Sequence, residues 1–509
     1  MGPARALDLH ILETGPAEID ETFVTLYRDN GYQPFWIEHE GPGKQAQDIR
    51  DVLSDAGSHG LEPSRYLLNS INLFWNSSDA ADLVRLDILL SMGMARYVAD
   101  MREGRLNPRR VEPELFDSAG DLSVDLKALF ASAGNAVDMK TFLEQQEPPF
   151  PQYRLLKEKL AEYRLIAASG GWPSLPVGKT LKAGMNEPGI ELLRQRLILT
   201  GDLGEQSRQS TEFDQHLLEA VRHFQNRHNL SADGIVGKQT AAAMNVPVHE
   251  RIQQLVINME RYRWLKHRDE ERSVIVNIAG FELLAGNCGT TEISMPVIVG
   301  KTYHKTPVFN GMISYVEFNP YWNIPPSIAR NEILPQLKKD PLYLKKNNMR
   351  IFRGWEKEAP ELDSAAINWR DVSKQQMNSY VLRQDPGPDN ALGLLKIMFP
   401  NKHNVYLHDT PSRELFSLKQ RALSHGCIRM ARPAEMAAWV LGGAENGWSE
   451  KRVNEIIATG RQTVVALKQH IPVCILYRTA YIRPEDKTLH FYEDIYGRDS
   501  LLAAALQGS

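Results

Sequence analysis

The spacing of hydrophobic positions changes near residue 270, from a helical period to a strand-like period. Within residues 83–101, apolar side chains recur three or four positions apart, at Leu86, Leu89, Leu90, Met94 and Tyr97. This spacing predicts one apolar helix face, and the turn at residues 104–108 ends the helix. Weaker patterns predict helices near residues 21–27 and 155–165. Residues 1–180 are therefore predicted to form a helical scaffold domain, with Phe35, Trp36 and Tyr66 in its core.

Proline and glycine are concentrated between residues 170 and 184, which predicts a domain boundary there. Short helices are predicted beyond it at residues 190–199, 213–227 and 240–244. Asn229 follows the second of these helices and is able to adopt the left-handed conformation that ends a helix. The sequence therefore assigns a small helical domain to residues 181–250.

After a connecting helix at residues 252–264, the pattern becomes strand-like. β-Branched residues separated by glycines predict strands over residues 274–278, 295–300, 308–318, 391–399, 404–408, 464–477 and 489–492. A long polar stretch interrupts them, and segments of this length inside a compact domain are usually functional or disordered. We predict a β-rich domain over residues 251–509, with a lid at about residues 328–390. The fold class is therefore α+β and multidomain.

Composition narrows the class of protein without identifying it. The 509 residues are 42% hydrophobic and 24% charged, which is typical of soluble globular chains. A net charge of −4 gives no basic excess, so nucleic acid is not an expected partner. The sequence contains no run of about 18 apolar residues, so no transmembrane helix is predicted. The first residues lack an apolar signal core, and we expect a trimmed start, so the missing leader does not argue for the cytoplasm.

Three cysteines are too few for a disulfide framework. Cys288 and Cys474 have apolar or strand-like neighbours and are predicted to be structural thiols, although a disulfide between them remains an alternative. Cys427 differs, because it lies in Ser424-His425-Gly426-Cys427-Ile428-Arg429. A buried packing residue does not need such neighbours. We therefore predict that Cys427 is a nucleophile.

A nucleophilic thiol needs a base and a positive field to become a thiolate. His408 is the predicted base, and its imidazolium would stabilise the thiolate. Arg429 adds positive potential and presents a planar fork that suits a carboxylate. The backbone N–H groups of Gly426 and Cys427 are candidate donors to an oxyanion, and the Tyr406 hydroxyl is a further candidate on the face of His408.

Two other interpretations concern the histidines. His425 is either a packing and hydrogen-bonding residue beside the nucleophile or a direct catalytic group, with the first favoured. His408, His425 and Cys427 also offer the nitrogen and sulfur ligands that zinc prefers. A fourth ligand at a suitable spacing is missing from the sequence, so no metal site is predicted.

The small helical domain resembles the peptidoglycan-binding type 1 module over residues 186–247. The resemblance rests on Val221-Arg222-His223-Phe224-Gln225 and on Asp233-Gly234-Ile235-Val236-Gly237. Asn229 stands where that module usually has glycine. The resemblance implies a three-helix bundle that holds cell-wall material, and it defines no individual binding residues.

The cysteine motif resembles the L,D-transpeptidase catalytic domain of the YkuD type. In that family an upstream His precedes Ser/Thr-His-Gly-Cys, a hydrophobic residue and Asn or Arg, which His408 and residues 424–429 match. Residues 319–326 and 258–264 resemble the large YcbB-like subgroup, which also has a helical scaffold, a peptidoglycan-binding module and a lid.

The resemblance implies a role for each matching position. Cys427 would be the nucleophile and His408 the general base, oriented by a backbone carbonyl rather than by Asp409. A second group would shape the oxyanion and substrate environment: Ser424, His425, Gly426, Arg429, Tyr406 and, in the cleft wall, Trp322.

The resemblance also implies the reaction. A tetrapeptide stem would be attacked at its meso-diaminopimelate–D-Ala bond, D-Ala would leave, and an amine of a neighbouring stem would complete a 3–3 cross-link. Carbapenems would acylate Cys427, and no metal or organic cofactor is implied. The substrate places the enzyme in the periplasm, where other cell-wall synthesis proteins are possible partners.

Three rival functions remain open from the sequence. The same acyl-enzyme would make an L,D-carboxypeptidase if water resolved it, or would attach or detach a protein at the wall. A wall-binding scaffold with a silent catalytic domain is an alternative of another class, which the intact His408 and Cys427 disfavour. A general cysteine protease is weaker still, because the papain-like context around the cysteine is absent.

Overall fold

The computed structural model describes residues 21–39, 41–111, 124–176, 178–207, 210–265, 272–287, 290–354, 359–483 and 485–507. The chain divides into two compact units. One contains residues 1–268 together with 478–509, and the other contains residues 269–477. None of the helices in the described ranges is long and apolar enough to cross a membrane.

The N-terminal part of the first unit is helical, as the sequence predicts. Its helices are α1 (Glu21–Asp29), α2 (Lys44–Ser54), α3 (Leu68–Phe74), α4 (Ala80–Glu103), α5 (Pro108–Val111), α6 (Leu126–Gly134), α7 (Met139–Glu144) and α8 (Pro151–Ala168). Strands β1 (Ile37–Glu38) and β2 (Gly41–Pro42) form a short antiparallel ribbon. The helices expected near residues 21–27, 83–101 and 155–165 are confirmed, and each is longer than its sequence pattern indicates.

Helix α4 organises this part of the unit. The Asp79 side chain caps its start by accepting the backbone N–H groups of the first turn, and the helix ends before Gly104. Within α4, the buried Asp87 accepts hydrogen bonds from the Tyr27 hydroxyl at 2.6 Å and from the Trp36 backbone N–H at 2.8 Å. Of the predicted core aromatics, Trp36 is held by the second bond and Tyr66 bonds to Asp100 instead, and both are buried, whereas Phe35 is half-buried.

Three helices form the small domain that the sequence predicts. They are α9 (Gly189–Leu199), α10 (Gln215–Arg227) and α11 (Lys238–Met244). Their apolar faces share one cluster that includes Leu193, Leu217 and Phe224. Asn229 follows α10 with a φ of 54°, the left-handed conformation expected for it. The boundary at residues 180/181 stays a prediction.

Helix α12 (Val248–Arg263) lies in the first unit, whereas the sequence assigned it to the β-rich domain. Its apolar stripe, with Leu255, Met259 and Tyr262, packs into the core formed by the N-terminal helices. The spacing of this stripe predicts a helix correctly, but it carries no information about which surface the helix covers.

The second unit is built on a large sheet, and a smaller sheet is inserted into it. Its strands are β3 (Arg272–Asn277), β4 (Glu282–Asn287), β5 (Thr290–Gly300), β6 (Phe309–Phe318), β7 (Trp322–Asn323), β8 (Met349–Phe352), β9 (Glu361–Leu362), β10 (Val381–Gln384), β11 (Leu395–Met398), β12 (Leu407–His408), β13 (Ala422–Ser424), β14 (Ile428–Met430) and β15 (Thr463–Leu476). The large sheet has the order β13-β5-β14-β12-β11-β6-β15-β3-β4, and β4 also pairs with β5. Because the last strand in this order, β4, pairs with the second, β5, the strands from β5 to β4 form a closed ring of pairings.

The predicted lid is a folded insertion with its own core. Strands β7, β10, β8 and β9 form its sheet in that order. Its helical segments are α13 (Pro326–Ile328), a π-helical turn (Ala329–Ile333), α14 (Leu334–Lys339) and α15 (Tyr343–Lys346). The polar character of this stretch does not indicate a core, yet buried apolar side chains such as Leu337, Ile351 and Trp369 form one cluster.

The last elements return the chain to the first unit. Helices α16 (Pro433–Val440) and α17 (Glu450–Ala458) lie between β14 and β15. Strands β16 (Ala480–Ile482) and β17 (Leu489–Phe491) then pair as an antiparallel ribbon, and helix α18 (Arg498–Gln507) follows. The ribbon contributes Ile482 and Phe491 to the core that also contains α12.

Candidate active site

Two parallel strands place the predicted catalytic residues on one face of the large sheet. Strand β12 pairs with β14 so that His408 is opposite Arg429. The backbone N–H of Ile428 donates to the carbonyl oxygen of Tyr406 at 3.1 Å, which continues the pairing towards Cys427. Side chains two residues apart on a strand point to the same side. Tyr406 and His408 on one strand therefore share a face with Cys427 and Arg429 on the other.

The turn before the nucleophile is fixed by hydrogen bonds. Gly426 has a φ of 116°, in the region that favours glycine. The Ser424 hydroxyl donates to the Cys427 carbonyl at 2.5 Å and accepts the Gly426 N–H at 3.1 Å. The buried Thr306 hydroxyl donates to the Gly426 carbonyl at 2.9 Å. The Gly426 N–H is therefore already engaged, and of the two predicted oxyanion donors the Cys427 N–H is the better candidate.

His408 is buried, and its ring is oriented by the backbone. Its Nδ1 lies 2.6 Å from the Asp409 carbonyl oxygen, which can only accept, so Nδ1 carries the proton. In the neutral ring, Nε2 then keeps the lone pair that a base requires. Burial lowers the pKa of His408 to about 3, and the positive charge of Arg429 adds to this effect.

Cys427 is partly buried, and its Sγ contacts the Asn404 carbonyl oxygen at 3.7 Å. Burial raises the pKa of its thiol, although hydrogen bonds from Tyr406 and the charge of Arg429 act in the opposite direction. The pKa of His408 falls while that of Cys427 rises. The resting pair is therefore a neutral thiol and a neutral imidazole, and not the predicted thiolate and imidazolium, because burial disfavours both charges.

Tyr406 is close to both members of this pair. Its ring centroid lies 5.6 Å from that of His408 in an edge-to-face arrangement. Burial raises the pKa of its hydroxyl strongly, and a hydrogen bond with the Cys427 sulfur contributes. Tyr406 therefore stays protonated at neutral pH and is available as a donor beside the reacting sulfur.

A lysine that the sequence does not single out lies next to these residues. Lys396 on β11 is opposite His408, and its Nζ lies 2.8 Å from Glu317 Oε2. Its positive charge lowers the pKa of Cys427 and of His408. In the sequence, Lys396 is one charged residue within the mostly apolar strand predicted over residues 391–399. This pattern does not reveal that His408 is its neighbour across the sheet.

His425 joins the catalytic turn to the insertion. Its Nε2 lies 2.5 Å from Oε1 of Glu332, which belongs to the π-helical turn. The ring centroid of His425 also lies 5.2 Å from that of His304. This contact agrees with a hydrogen-bonding role for His425. Glu332 lies far from the motif in sequence, and no pattern connected the two.

A cavity of about 380 Å³ lies between the insertion and the catalytic strands. Trp322 and Arg429 line it, together with Glu332, Asp389 and the segment that begins at Thr410. Arg429, which lines the cavity, lies two positions beyond Cys427 in the sequence.

The described residues hold no group of three or more His, Cys, Asp or Glu side chains that could bind a metal ion. Cys288 lies outside the described residues, so the structural role predicted for Cys288 and Cys474, and the alternative disulfide between them, stay predictions.

Comparison with protein families agrees with this geometry. Residues 271–465 match the L,D-transpeptidase catalytic domain (YkuD), residues 186–244 match a putative peptidoglycan binding domain, and residues 21–160 match a scaffold domain. The β-rich unit carries an L,D-transpeptidase catalytic domain. The resemblance drawn from residues 408 and 424–429 is therefore confirmed at the level of the family.

Individual relatives give the same family name. A putative L,D-transpeptidase of Haemophilus influenzae is 35% identical over 247 residues, which are 48% of this chain and 48% of the relative. The chain thus spans about half the length of that relative. An L,D-transpeptidase from Mycobacterium smegmatis is 13% identical with a TM-score of 0.18, covering 41% of this chain and 59% of its own. An L,D-transpeptidase from Stackebrandtia nassauensis is 12% identical with a TM-score of 0.23. The match covers 59% of this chain and 96% of the other.

Proposed function

We propose that the protein is an L,D-transpeptidase that forms 3–3 cross-links in peptidoglycan through a thioester on Cys427. One observation carries the proposal. The pairing of β12 with β14 places His408, with its Nδ1 held by the Asp409 carbonyl, on the face that bears Cys427, Tyr406 and Arg429. The match of residues 186–244 to a peptidoglycan binding domain supports the cell wall as the substrate.

The residues supply the acylation step as follows. His408 Nε2 takes the thiol proton as Cys427 Sγ attacks the carbonyl carbon of the diaminopimelate–D-Ala bond. The Cys427 N–H and the Tyr406 hydroxyl donate to the oxyanion. The carbon–nitrogen bond then breaks, and the imidazolium of His408 returns the proton to the amine of D-Ala. A thioester on Cys427 remains.

The second step transfers the acyl group to an amine of a neighbouring stem. The amine nitrogen bonds to the thioester carbon, the carbon–sulfur bond breaks, and a proton from the amine returns to Cys427 by way of His408. Because the neutral resting pair has little nucleophilic thiolate, proton transfer must accompany attack.

Intact-protein mass spectrometry with a carbapenem tests the nucleophile. We expect one adduct on the wild-type protein and none on Cys427→Ala, and an adduct on the variant would contradict the assignment. Treating isolated peptidoglycan with the protein tests the outcome of the thioester. Stem dimers with a 3–3 bond support transpeptidation, whereas trimmed monomers would show that water is the acceptor.

The periplasm is the proposed compartment, because the stem peptides are outside the cytoplasmic membrane. Fractionation of cells that produce the full native protein tests this proposal. Recovery in the cytoplasmic fraction would contradict it.

A further inference from the structure

The cavity beside the catalytic strands contains charges of both signs. Arg429 lines it from strand β14, and Glu332 and Asp389 line it from the insertion. Uncharged polar side chains of Gln336 and Asn347 also face it, with Trp322 as an aromatic wall. Tyr343 is a second aromatic residue in the lining, and a mixture of one cation, two anions and two aromatic rings fits a small polar ligand better than an apolar one.

Arg429 has no counter-ion within the described part of the chain. Its Nε is buried and makes no hydrogen bond. Burial also lowers the pKa of its guanidinium. Buried guanidinium groups are normally paired, and a carboxylate is the partner that fits their fork of N–H donors. A ligand carboxylate in the cavity would supply the missing partner.

The two acids are available for a cation. The Oε1 atom of Glu332 is hydrogen-bonded to His425, and the Glu332 side chain is 51% exposed. A carboxylate has two acceptor oxygens, so Oε2 can accept from a second donor. Asp389 is exposed and lines the same cavity. An ammonium group has three N–H donors, which suits two carboxylates.

We propose that this cavity binds an amino-acid group with an ammonium and a carboxylate on one carbon. Arg429 binds the carboxylate, and Glu332 and Asp389 bind the ammonium. The proposal rests on the proposed function and deepens it, because the side-chain end of diaminopimelate carries this pair of charges. Both the donor stem and the acceptor stem contain that group, and the kinetic measurements below distinguish them.

A binding experiment tests the cavity without depending on catalysis. Cys427→Ala is titrated with a diaminopimelate tetrapeptide and with a matched tetrapeptide that has lysine in its place. Lysine keeps the amine and lacks the neighbouring carboxylate. We expect the lysine peptide to bind about tenfold more weakly or worse, since the guanidinium of Arg429 loses its charged hydrogen-bond partner.

Further variants test the acids. Adding Glu332→Gln or Asp389→Asn to Cys427→Ala is expected to weaken the diaminopimelate peptide severalfold to tenfold. Glu445→Gln is the matched control, because it removes an exposed acid of the same unit that does not line the cavity. Equal affinity for the two peptides, or wild-type affinity in both acid variants, would overturn the proposal, even where a carbapenem adduct upholds the proposed function.

Kinetics with otherwise wild-type protein assign the bound stem. If the donor occupies the cavity, Glu332→Gln raises the KM for the tetrapeptide donor. If the acceptor occupies it, the KM for the acceptor rises instead, and exchanging diaminopimelate for lysine in that stem alone has the same effect. The control Glu445→Gln is expected to leave both KM values and the rate of carbapenem acylation at their wild-type values. Unchanged KM values for both stems in Glu332→Gln would overturn the proposal.

Discussion

Two buried polar clusters, one in each unit, differ in how completely their groups are paired. In the first unit, His59 contacts the Tyr153 hydroxyl through Nδ1 at 3.0 Å and the Lys157 amine through Nε2 at 2.8 Å. Arg263 in the same cluster bonds to Glu260 at 2.8 Å and to Tyr153 at 3.0 Å. On the catalytic face, by contrast, Arg429 has no counter-ion in the described part of the chain, although the Nε of both arginines lacks a hydrogen bond.

This difference separates a polar cluster that supports the fold from one that is prepared for a ligand. Paired groups rigidify a core, and an unpaired buried charge lowers stability unless something else compensates it. In the helical unit, Glu260 compensates the charge of Arg263 with an ion pair of 2.8 Å. The catalytic face leaves a guanidinium and a thiol without strong partners, and a substrate can provide them.

The largest expected effect comes from exchanging the two histidines separately. His408→Gln removes the base, so the rate of carbapenem acylation should fall by about 10²–10⁴-fold with little change in the melting temperature. His59→Gln should leave the acylation rate unchanged and lower the free energy of unfolding by about 1–3 kcal/mol, because buried partners lose a hydrogen bond. Equal effects of the two variants on both measurements would show that the clusters do not differ in role.

The sequence predicts which side chains share the face of β12 and β14 better than it predicts their surroundings. Cys427, His408 and Arg429 lie together there, as the local motif indicates, and their catalytic roles stay predictions. Lys396 and Glu332 were missed because one lies across the sheet and the other reaches His425 from the insertion. Long-range contacts of this kind leave no periodic signal in a single sequence.

The same limit applies to the fold. Helix α4 and the three-helix domain follow from apolar spacing and from caps such as Asp79. The insertion was misread because its buried side chains, such as Leu337 and Trp369, lie in short elements separated by polar turns. Helix α12 was predicted as a connecting helix within residues 251–509, and it packs in the core of the first unit, since an apolar stripe does not specify its partner.

A smaller effect is expected from the support of the catalytic turn. Thr306 is fully buried, donates to the Gly426 carbonyl and accepts the Gly300 N–H at 2.9 Å. Thr306→Val should slow carbapenem acylation about tenfold, because the turn that places the Cys427 N–H loses a buried hydrogen bond. Thr306→Ser keeps the hydroxyl and should restore most of the rate. If serine and valine slow acylation equally, the hydroxyl does not position the turn.

The insertion should change the fate of the thioester by a few fold. Its ends lie together, since the Asn390 side chain donates to the Pro320 carbonyl at 3.1 Å, so a short glycine linker can replace the segment between them. Without this cover, water reaches the thioester more easily, and hydrolysis should rise relative to cross-linking. The ratio of trimmed monomers to dimers measures this change. A ratio equal to wild type, in a variant that still forms the carbapenem adduct, would refute the protective role.

The smallest expected effect is that of pH on acylation, and it tests whether burial controls the catalytic histidine. With the pKa of His408 lowered to about 3, the ring stays neutral and able to accept a proton throughout pH 5–7. The acylation rate should therefore change less than about twofold over this range. An exposed histidine with a pKa near 6.5 would instead lose most of its neutral form between pH 7 and pH 5, and the rate would fall by more than about tenfold. Stopped-flow measurement of carbapenem acylation separates the two outcomes. A steep acid limb with a midpoint near 6.5 would mean that the base titrates as it does in water, and that the catalytic pair is not held neutral by its surroundings.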